Sequence, residues 1–351
     1  MRKQLYRSLT IELQRRLPGA SKPQVGNLAL LTQALVFSPN CHLNNLALEL
    51  PVAGRQESLI NRLRRFLDNS HLSRSRHYQP LVRCLFAHWP DEEVSLVMDR
   101  TDIGQEKSIL LLGAAFKHRV IPLTWRVLPF GGTAAEMQKA LLQEIKPYLP
   151  ANKRIMFYGD SEFRAVEVQG YCRQKGWGWQ LGIKSDTLYH TGDEKWQALS
   201  TLQVNKGQRR YINQVTLTKQ HAWSDVHLMV DWTHKADYPR YVVCHQPANK
   251  QSWRRGRKRF WIEPTFRDWK SYGFDLEASC LEADHRLASL LLGMAVATLW
   301  LLHLGHWIEV NDRATWLTAS HRRDYSLFRL GRDYARRSQL HHWDLPICFH
   351  R

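Results

Sequence analysis

The sequence predicts an α/β protein, a mixed sheet with helices on both faces, preceded by a helical region and interrupted by a β-rich insertion. Three observations predict it. First, from Val94 onward apolar residues alternate in strand fashion. Residues 94–98, 108–117 and 119–128 form three consecutive strand-like runs, the last two joined at Lys117-His118. Second, helical and strand patterns then alternate: a helix with Met137, Leu141 and Ile145 on one face, a strand at 155–158, a helix over 164–175, and a strand at 177–183. Third, residues 1–80 carry helical spacing and many arginines, with no strand pattern among them.

Taken in order, Leu28, Leu31, Leu35 and Val36 make a helical apolar stripe that Ser38-Pro39-Asn40 stops. Leu43, Leu46, Ala47 and Leu50 make a second, short helix, and residues 51–54 form a turn. Leu59, Ile60, Leu63, Phe66 and Leu67 then face one way, while Arg55, Arg62, Arg64 and Arg65 cover the other faces. Helix, tight turn and basic helix together outline a helix-turn-helix, with those four arginines as candidate DNA contacts. Residues 70–80 are polar and basic, a candidate linker or DNA-tracking segment. Thr133-x-x-Glu136 reads as a capping box opening the first helix after the three strands. One acid, Asp99, ends the first strand and another, Asp160, ends the fourth. Three leading strands followed by helix-strand alternation is the order of a ribonuclease-H-like core, in which those two ends lie side by side.

Short strand-like runs resume between residues 185 and 252 and read as an antiparallel insertion separate from the core. The expected organisation is a DNA-binding region at 1–80, core at 81–184, insertion at 185–252, returning core at 253–310 and a basic segment at 311–351. That last segment holds Arg322, Arg323, Arg329, Arg332, Arg336 and Arg337.

Composition bounds the function. Lys and Arg number 50 against 32 acids, a formal net charge of +18, which predicts a polyanionic partner and favours nucleic acid over membrane. The six cysteines are scattered without a C-x-x-C pair and read as reduced thiols of a cytosolic protein. Residues 287–302 are uncharged but shorter than the roughly 20 residues a spanning helix needs, so a buried core helix is expected. Charges throughout residues 1–16 argue against a signal peptide, so the expected location is cytoplasmic. No G-x-x-x-x-G-K loop supports nucleotide hydrolysis.

The stretch 253–270, W-R-R-G-R-K-R-F-W-I-E-P-T-F-R-D-W-K, ties these parts together. Arg254, Arg255, Arg257, Lys258 and Arg259 form an acid-free basic run suited to phosphates. Offsets of three, four and seven put Glu263, Phe266, Arg267 and Lys270 on one helix face, with Asp268 turned away. Glu263 would sit at the helix mouth, where the dipole favours an anion. Asp99, Asp160 and Glu263 are therefore candidate ligands for hard divalent cations such as Mg2+, with Mn2+ able to substitute. Two such ions about 4 Å apart can activate an attacking oxygen and stabilise a leaving one. Asp102 and Glu162 are the alternative acids. Each lies off the strand end, where α/β sites gather. Phe260 and Trp261 are core residues or, alternatively, platforms for an unpaired base.

Arg259, Glu263 and Lys270 resemble the R-(3)-E-(6)-K part of the signature of bacterial insertion-sequence DDE transposases of insertion sequence family four. M-D-R-T-D resembles that family's first-strand motif at Asp99 and Thr101, and Y-G-D-S-E-F its second motif at Asp160 and Phe163. The family's tyrosine position is Gly256 here, and Ser161 and Glu162 stand where Arg and Gly are usual. The resemblance spans residues 94–302. It implies Asp99, Asp160 and Glu263 as catalytic and metal-binding, Arg259 and Lys270 as DNA-phosphate contacts, and a homodimer synapsing two double-stranded element ends. The implied activity is metal-dependent cleavage and strand transfer into target DNA. Rival readings are a catalytically inactive DNA-binding derivative and a ribonuclease-H-like nuclease.

Overall fold

The computed structural model describes residues 2–192, 195–319 and 325–349. Six helices come first: α1 (Arg2–Arg16), α2 (Lys22–Phe37), α3 (Leu43–Leu48), α4 (Gln56–Leu67), α5 (Arg74–His77) and α6 (Gln79–Ala87). The expected stripe on α2 is in fact a helix buried on all sides from Val25 to Val36. The candidate linker at 70–80 is folded. Its Tyr78 is fully buried with its hydroxyl on the Pro122 carbonyl at 2.6 Å, and Arg74 pairs with Glu144 at 2.9 Å. Polar composition misled there, because these polar groups are spent on tertiary contacts.

The sheet begins as expected, with β1 (Glu93–Ile103), β2 (Lys107–Phe116) and β3 (Arg119–Pro129). Lys117 and His118 both adopt positive φ (43° and 64°), as a two-residue hairpin turn demands. Next come α7 (Ala135–Ile145), β4 (Arg154–Gly159), α8 (Val166–Gln174) and β5 (Gly178–Ile183). The spatial order is β3-β2-β1-β4-β5, with β4 parallel to both β1 and β5. This is the ribonuclease-H-like arrangement, with helices on both faces. The capping box at Thr133 does not form. Ala134 is the N-cap, and the Thr133 hydroxyl donates to Glu162 at 2.7 Å instead.

The insertion is a second correction. Its strands β6 (Leu188–His190), β7 (Gln197–Ala198), β8 (Arg209–Leu217), β9 (Trp223–Asp231) and β10 (Arg240–Cys244) are not a separate unit. Strand β10 pairs antiparallel with β5, so ten strands form one continuous sheet. Val243 and Leu181 face each other in that register and are both fully buried, so the seam is core.

The basic run of the Trp253–Lys270 stretch is helical: α9 (Lys250–Gly256) leads through a 3-10 turn (Arg257–Trp261) into α10 (Ile262–Lys270). Asn249 caps α9 reciprocally with Ser252. The apolar run 287–302 lies within a longer helix, α11 (Asp284–Val310). By length and hydropathy α11 meets the test for a membrane span, yet 89% of its most apolar window is buried inside the fold. It packs between the sheet, α2 and α12 (Leu327–His341). Each fully buried leucine along it, such as Leu290, Leu299 and Leu302, contributes about 2 kcal/mol.

Of the C-terminal arginines, Arg329 and Arg337 are exposed, whereas Arg332 and Arg336 are not free basic surface. Arg332, buried, donates to the Ser38 carbonyl at 2.8 Å and to Val36 and Tyr272 at 3.4 Å. Arg336 reaches Val36, Phe37 and Ser38. Together they satisfy the carbonyls that the end of α2 leaves open, a cationic cap on its negative pole. Arg322 and Arg323 lie outside the described residues.

Candidate active site

Strand pairing delivers the two aspartates to one place. In the parallel register of β1 with β4, Val97 faces Tyr158. Asp99 and Asp160 each lie two residues farther on and so end abreast. Asp99 Oδ1 accepts from the Arg100 N–H at 2.8 Å, and Asp160 Oδ1 from the Glu162 N–H at 2.8 Å. One oxygen of each carboxylate is thereby oriented by backbone. Phe163, fully buried, anchors the turn behind Asp160. Gly182 of β5 lets that turn lie close, since a Cβ there would stand 2.7 Å from the Ser161 nitrogen.

Asp102 is a different case. An odd offset from Asp99 sends it to the other side of the strand, where it pairs with Arg100 (2.7 Å) and accepts from the Ser108 hydroxyl (2.7 Å). Glu162 likewise turns away from Asp160, accepting from the Thr133 N–H and hydroxyl.

Helix α10 is bolted to the start of β3. Thr265 accepts from the Val120 N–H at 2.9 Å, Asp268 pairs with Arg119 at 2.6 Å, and Trp269 donates to Thr298 of α11 at 2.9 Å. Asp268 is thus turned into the core, and Phe266 is buried as well, so the face expected for it with Glu263 is split. Glu263, in the first turn, and Arg267 are exposed. Glu263 makes no hydrogen bond or ion pair with the described residues.

Electrostatics link the three acids. Burial pushes the Asp99 carboxyl up from its ordinary range to about 7, and the negative charges of Asp160 and Glu263 add to that push. The Arg100 N–H and the Arg259 charge oppose it. Among the described residues, however, no three His, Cys, Asp or Glu side chains converge closely enough to hold one ion. Asp99 and Asp160 lie abreast, and the charge of Glu263 is felt at Asp99. The donor set still fits a hard cation: the two aspartates are carboxylate ligands abreast, in a field that a positive charge would relieve. An ion of the magnesium type needs only one or two protein carboxylates beside water and substrate phosphate.

The predicted basic residues divide. Arg254 and Arg257 are exposed. Arg255 is half-buried toward Gln246 (3.5 Å), and Lys258 is engaged with Ser95 (2.9 Å) and Glu93 (3.5 Å). Arg259 lies over the Phe260 ring at 4.2 Å and enters the field of Asp99. Lys270 donates to the Asp102 carbonyl at 2.5 Å and pairs with Glu277 at 3.3 Å. Arg55, which precedes α4, and Arg64 and Arg65 on it are exposed, and Arg62 is held by Asn27 at 2.8 Å.

A cavity of about 760 Å³ opens beside Asp160, between β5, the insertion strands and the basic turn. Trp232, Tyr238, Trp253, Phe260, Arg240 and Arg259 are among its lining residues. Trp261 points elsewhere, against His118 with ring centroids 4.7 Å apart. Gly256 matters here, because a Cβ on it would collide with the Gln180 amide oxygen. Gln180 is buried and held by a bond to the Ser252 carbonyl at 3.0 Å, so the family's tyrosine would have to displace it. The reading from sequence missed Trp232, Tyr238 and Arg240 as neighbours of the acids. Their only signal was aromatic and basic residues at strand ends, and nothing in their spacing tied them to Asp160.

Fold and site together define a ribonuclease-H-like protein with an acidic centre just beyond the last paired residues of two adjacent parallel strands. Residues 132–300 match the family model described as a transposase DDE domain, a segment holding Asp160, Glu263 and Lys270 and beginning after Asp99. Over that segment the chain is similar to the DDE transposases. No curated protein matches it. Among solved structures, the piggyBac transposase synaptic complex with hairpin DNA aligns at TM-score 0.47 and 8% identity, over 94% of this chain and 76% of that one. The Marinitoga piezophila Argonaute in complex with guide RNA and target DNA aligns at TM-score 0.23 and 8% identity, over 60% of this chain and 32% of that one.

Proposed function

We propose that this protein excises and inserts a DNA element by metal-dependent cleavage and strand transfer, as a member of the family-four insertion-sequence group. The observation that carries the reading is the placement of Asp99 and Asp160 abreast, with the charge of Glu263 felt at the same point. When bound between these acids, Mg2+ or Mn2+ would supply activation of the attacking oxygen and neutralisation of charge on the reacting phosphate. The chain's own part is to orient one oxygen of each aspartate by backbone N–H groups and to bring Glu263 in on α10. Arg254, Arg257 and Arg259 hold the DNA backbone beside the acids.

In the first step water displaces the 3′ oxygen at the element end and frees a 3′-hydroxyl. In the second, that hydroxyl attacks a target phosphodiester and expels a new 3′ oxygen. Phe260, within the cavity beside Asp160, is the better placed of the two aromatic candidates to stack an unpaired base. Helix α4 presents Arg55, Arg64 and Arg65 to the duplex ends. Two copies hold the two ends together, acting on DNA in the bacterial cytoplasm.

The test is magnesium-dependent nicking of a labelled element-end duplex, beside a gel-shift on the same DNA. Alanine at Asp99, Asp160 or Glu263 abolishes nicking and leaves binding intact. Full nicking by the Glu263→Ala protein would remove α10 from the chemistry, and loss of binding in all three would make the acids structural. A wild-type chain that binds ends without nicking them would be an inactive derivative.

A further inference from the structure

A metal site built on residues of two adjacent strands needs those strands held at a fixed separation. The ladder joining β1 to β4 stops at Val97 and Tyr158, two residues short of both aspartates. Across the gap beyond it stand Arg100 and Glu162. The Arg100 N–H holds Asp99 and the Glu162 N–H holds Asp160, each at 2.8 Å, while their side chains meet, Arg100 Nε on Glu162 Oε2 at 3.3 Å. Each residue thus grips one aspartate through its backbone and the other residue through its side chain.

We propose that the Arg100–Glu162 pair is a positioning clamp that sets the spacing of the two aspartates for metal. The inference rests on Asp99 and Asp160 being metal ligands. The clamp is anchored at both ends. Glu162 Oε1 accepts from the Thr133 N–H (2.8 Å) and hydroxyl (2.7 Å), fixing it to the loop before α7. Arg100 also bonds Asp102 (2.7 Å) and the Ser108 hydroxyl (3.1 Å), fixing it to β2. Both side chains are about one-fifth exposed, so water screens the pair only partly. Both carboxylate oxygens of Glu162 and the Nε and Nη1 of Arg100 are thereby committed, and side chains so constrained transmit their position to the neighbouring backbone. Spacing along the chain had set Asp102 and Glu162 aside as the alternative acids. In the fold they are the frame around the ligands.

The experiment uses the intact protein, with Mn2+ binding followed by the electron paramagnetic resonance signal of the free ion and melting measured alongside. Glu162→Gln keeps an acceptor for Thr133 and removes the ion pair, and Arg100→Met removes it from the other side. Each should weaken Mn2+ binding about ten-fold, the scale on which groups orienting a metal ligand act. The double variant should be no weaker than either single, because one interaction is lost in all three. Arg100→Lys, which keeps the charge and the fold, should recover part of the affinity. Wild-type Mn2+ affinity in Glu162→Gln and Arg100→Met, with Asp99→Asn and Asp160→Asn binding weakly, overturns the clamp. Wild-type affinity in the two aspartate variants overturns the ligand assignment itself.

Discussion

Asp99 makes the site a measurable burden on stability when no cation is bound. Its carboxyl is pushed from 3.8 to about 7 by burial and by the charges of Asp160 and Glu263. A raised folded-state value means the folded protein holds the proton more tightly than the unfolded chain does. The stabilising contribution is therefore complete below pH 4 and is lost as pH rises to about 7. Three pKa units correspond to about 4 kcal/mol at 1.36 kcal/mol each. Asp99 is only partly buried, and screening reduces this to about 2 kcal/mol. Asp99→Asn removes the titration while keeping an acceptor for the Arg100 N–H. Urea unfolding in EDTA should find that variant about 2 kcal/mol more stable than wild type at pH 8, with the gap closing toward pH 4. Added Mg2+ should narrow the gap at pH 8 by stabilising wild type alone. A variant no more stable than wild type at pH 8, or a gap that ignores pH, would refute the argument.

Other substitutions probe other parts. Arg332→Ala strips the Ser38, Val36 and Tyr272 carbonyls of a buried donor and should cost about 2–4 kcal/mol in thermal unfolding, against under 1 kcal/mol if the helix end finds water instead. Gly256→Tyr restores the family residue but drives a Cβ into Gln180. A loss of about 1–3 kcal/mol is expected in chemical unfolding, and unchanged stability would show the Gln180 side chain free to move aside. Arg254→Ala with Arg257→Ala should lower the salt slope of DNA binding by about 1.8, whereas Lys258→Ala, held by Ser95 and Glu93, should leave it unchanged. Equal effects on the slope would mean exposure does not mark the phosphate contacts.

Much of this fold was legible because its signals are local. The alternation at 94–98, the positive-φ turn at Lys117-His118 and the helix-strand order to Ile183 each depend on neighbouring residues. Asp160 follows the end of its strand as expected, but Asp99 lies inside β1, which runs on to Ile103 because it continues to pair with β2. The errors came where a polar side chain chose a distant partner over a near one. Thr133 looked like an N-cap and bonds Glu162 instead. The polar run 70–80 looked like a linker, yet Arg74 pairs with Glu144 across the fold. Continuity of β10 with β5 was invisible because pairing partners some sixty residues apart leave no mark on local pattern. The cavity wall was hidden for the same reason.

The arginine cap on α2 bears on how the molecule is made. The carbonyl of Val36 waits for a guanidinium 296 residues farther along the chain. Until that helix arrives, α2 holds an apolar surface on every side and a set of open acceptors at its end. Ordering of the first helices is therefore a late event, dependent on closing a loop of 296 residues. Shortening the protein at its far end then acts at the near end: without α12, the first region to loosen is the one synthesised first, and its exposed leucines are what a chaperone or a protease meets.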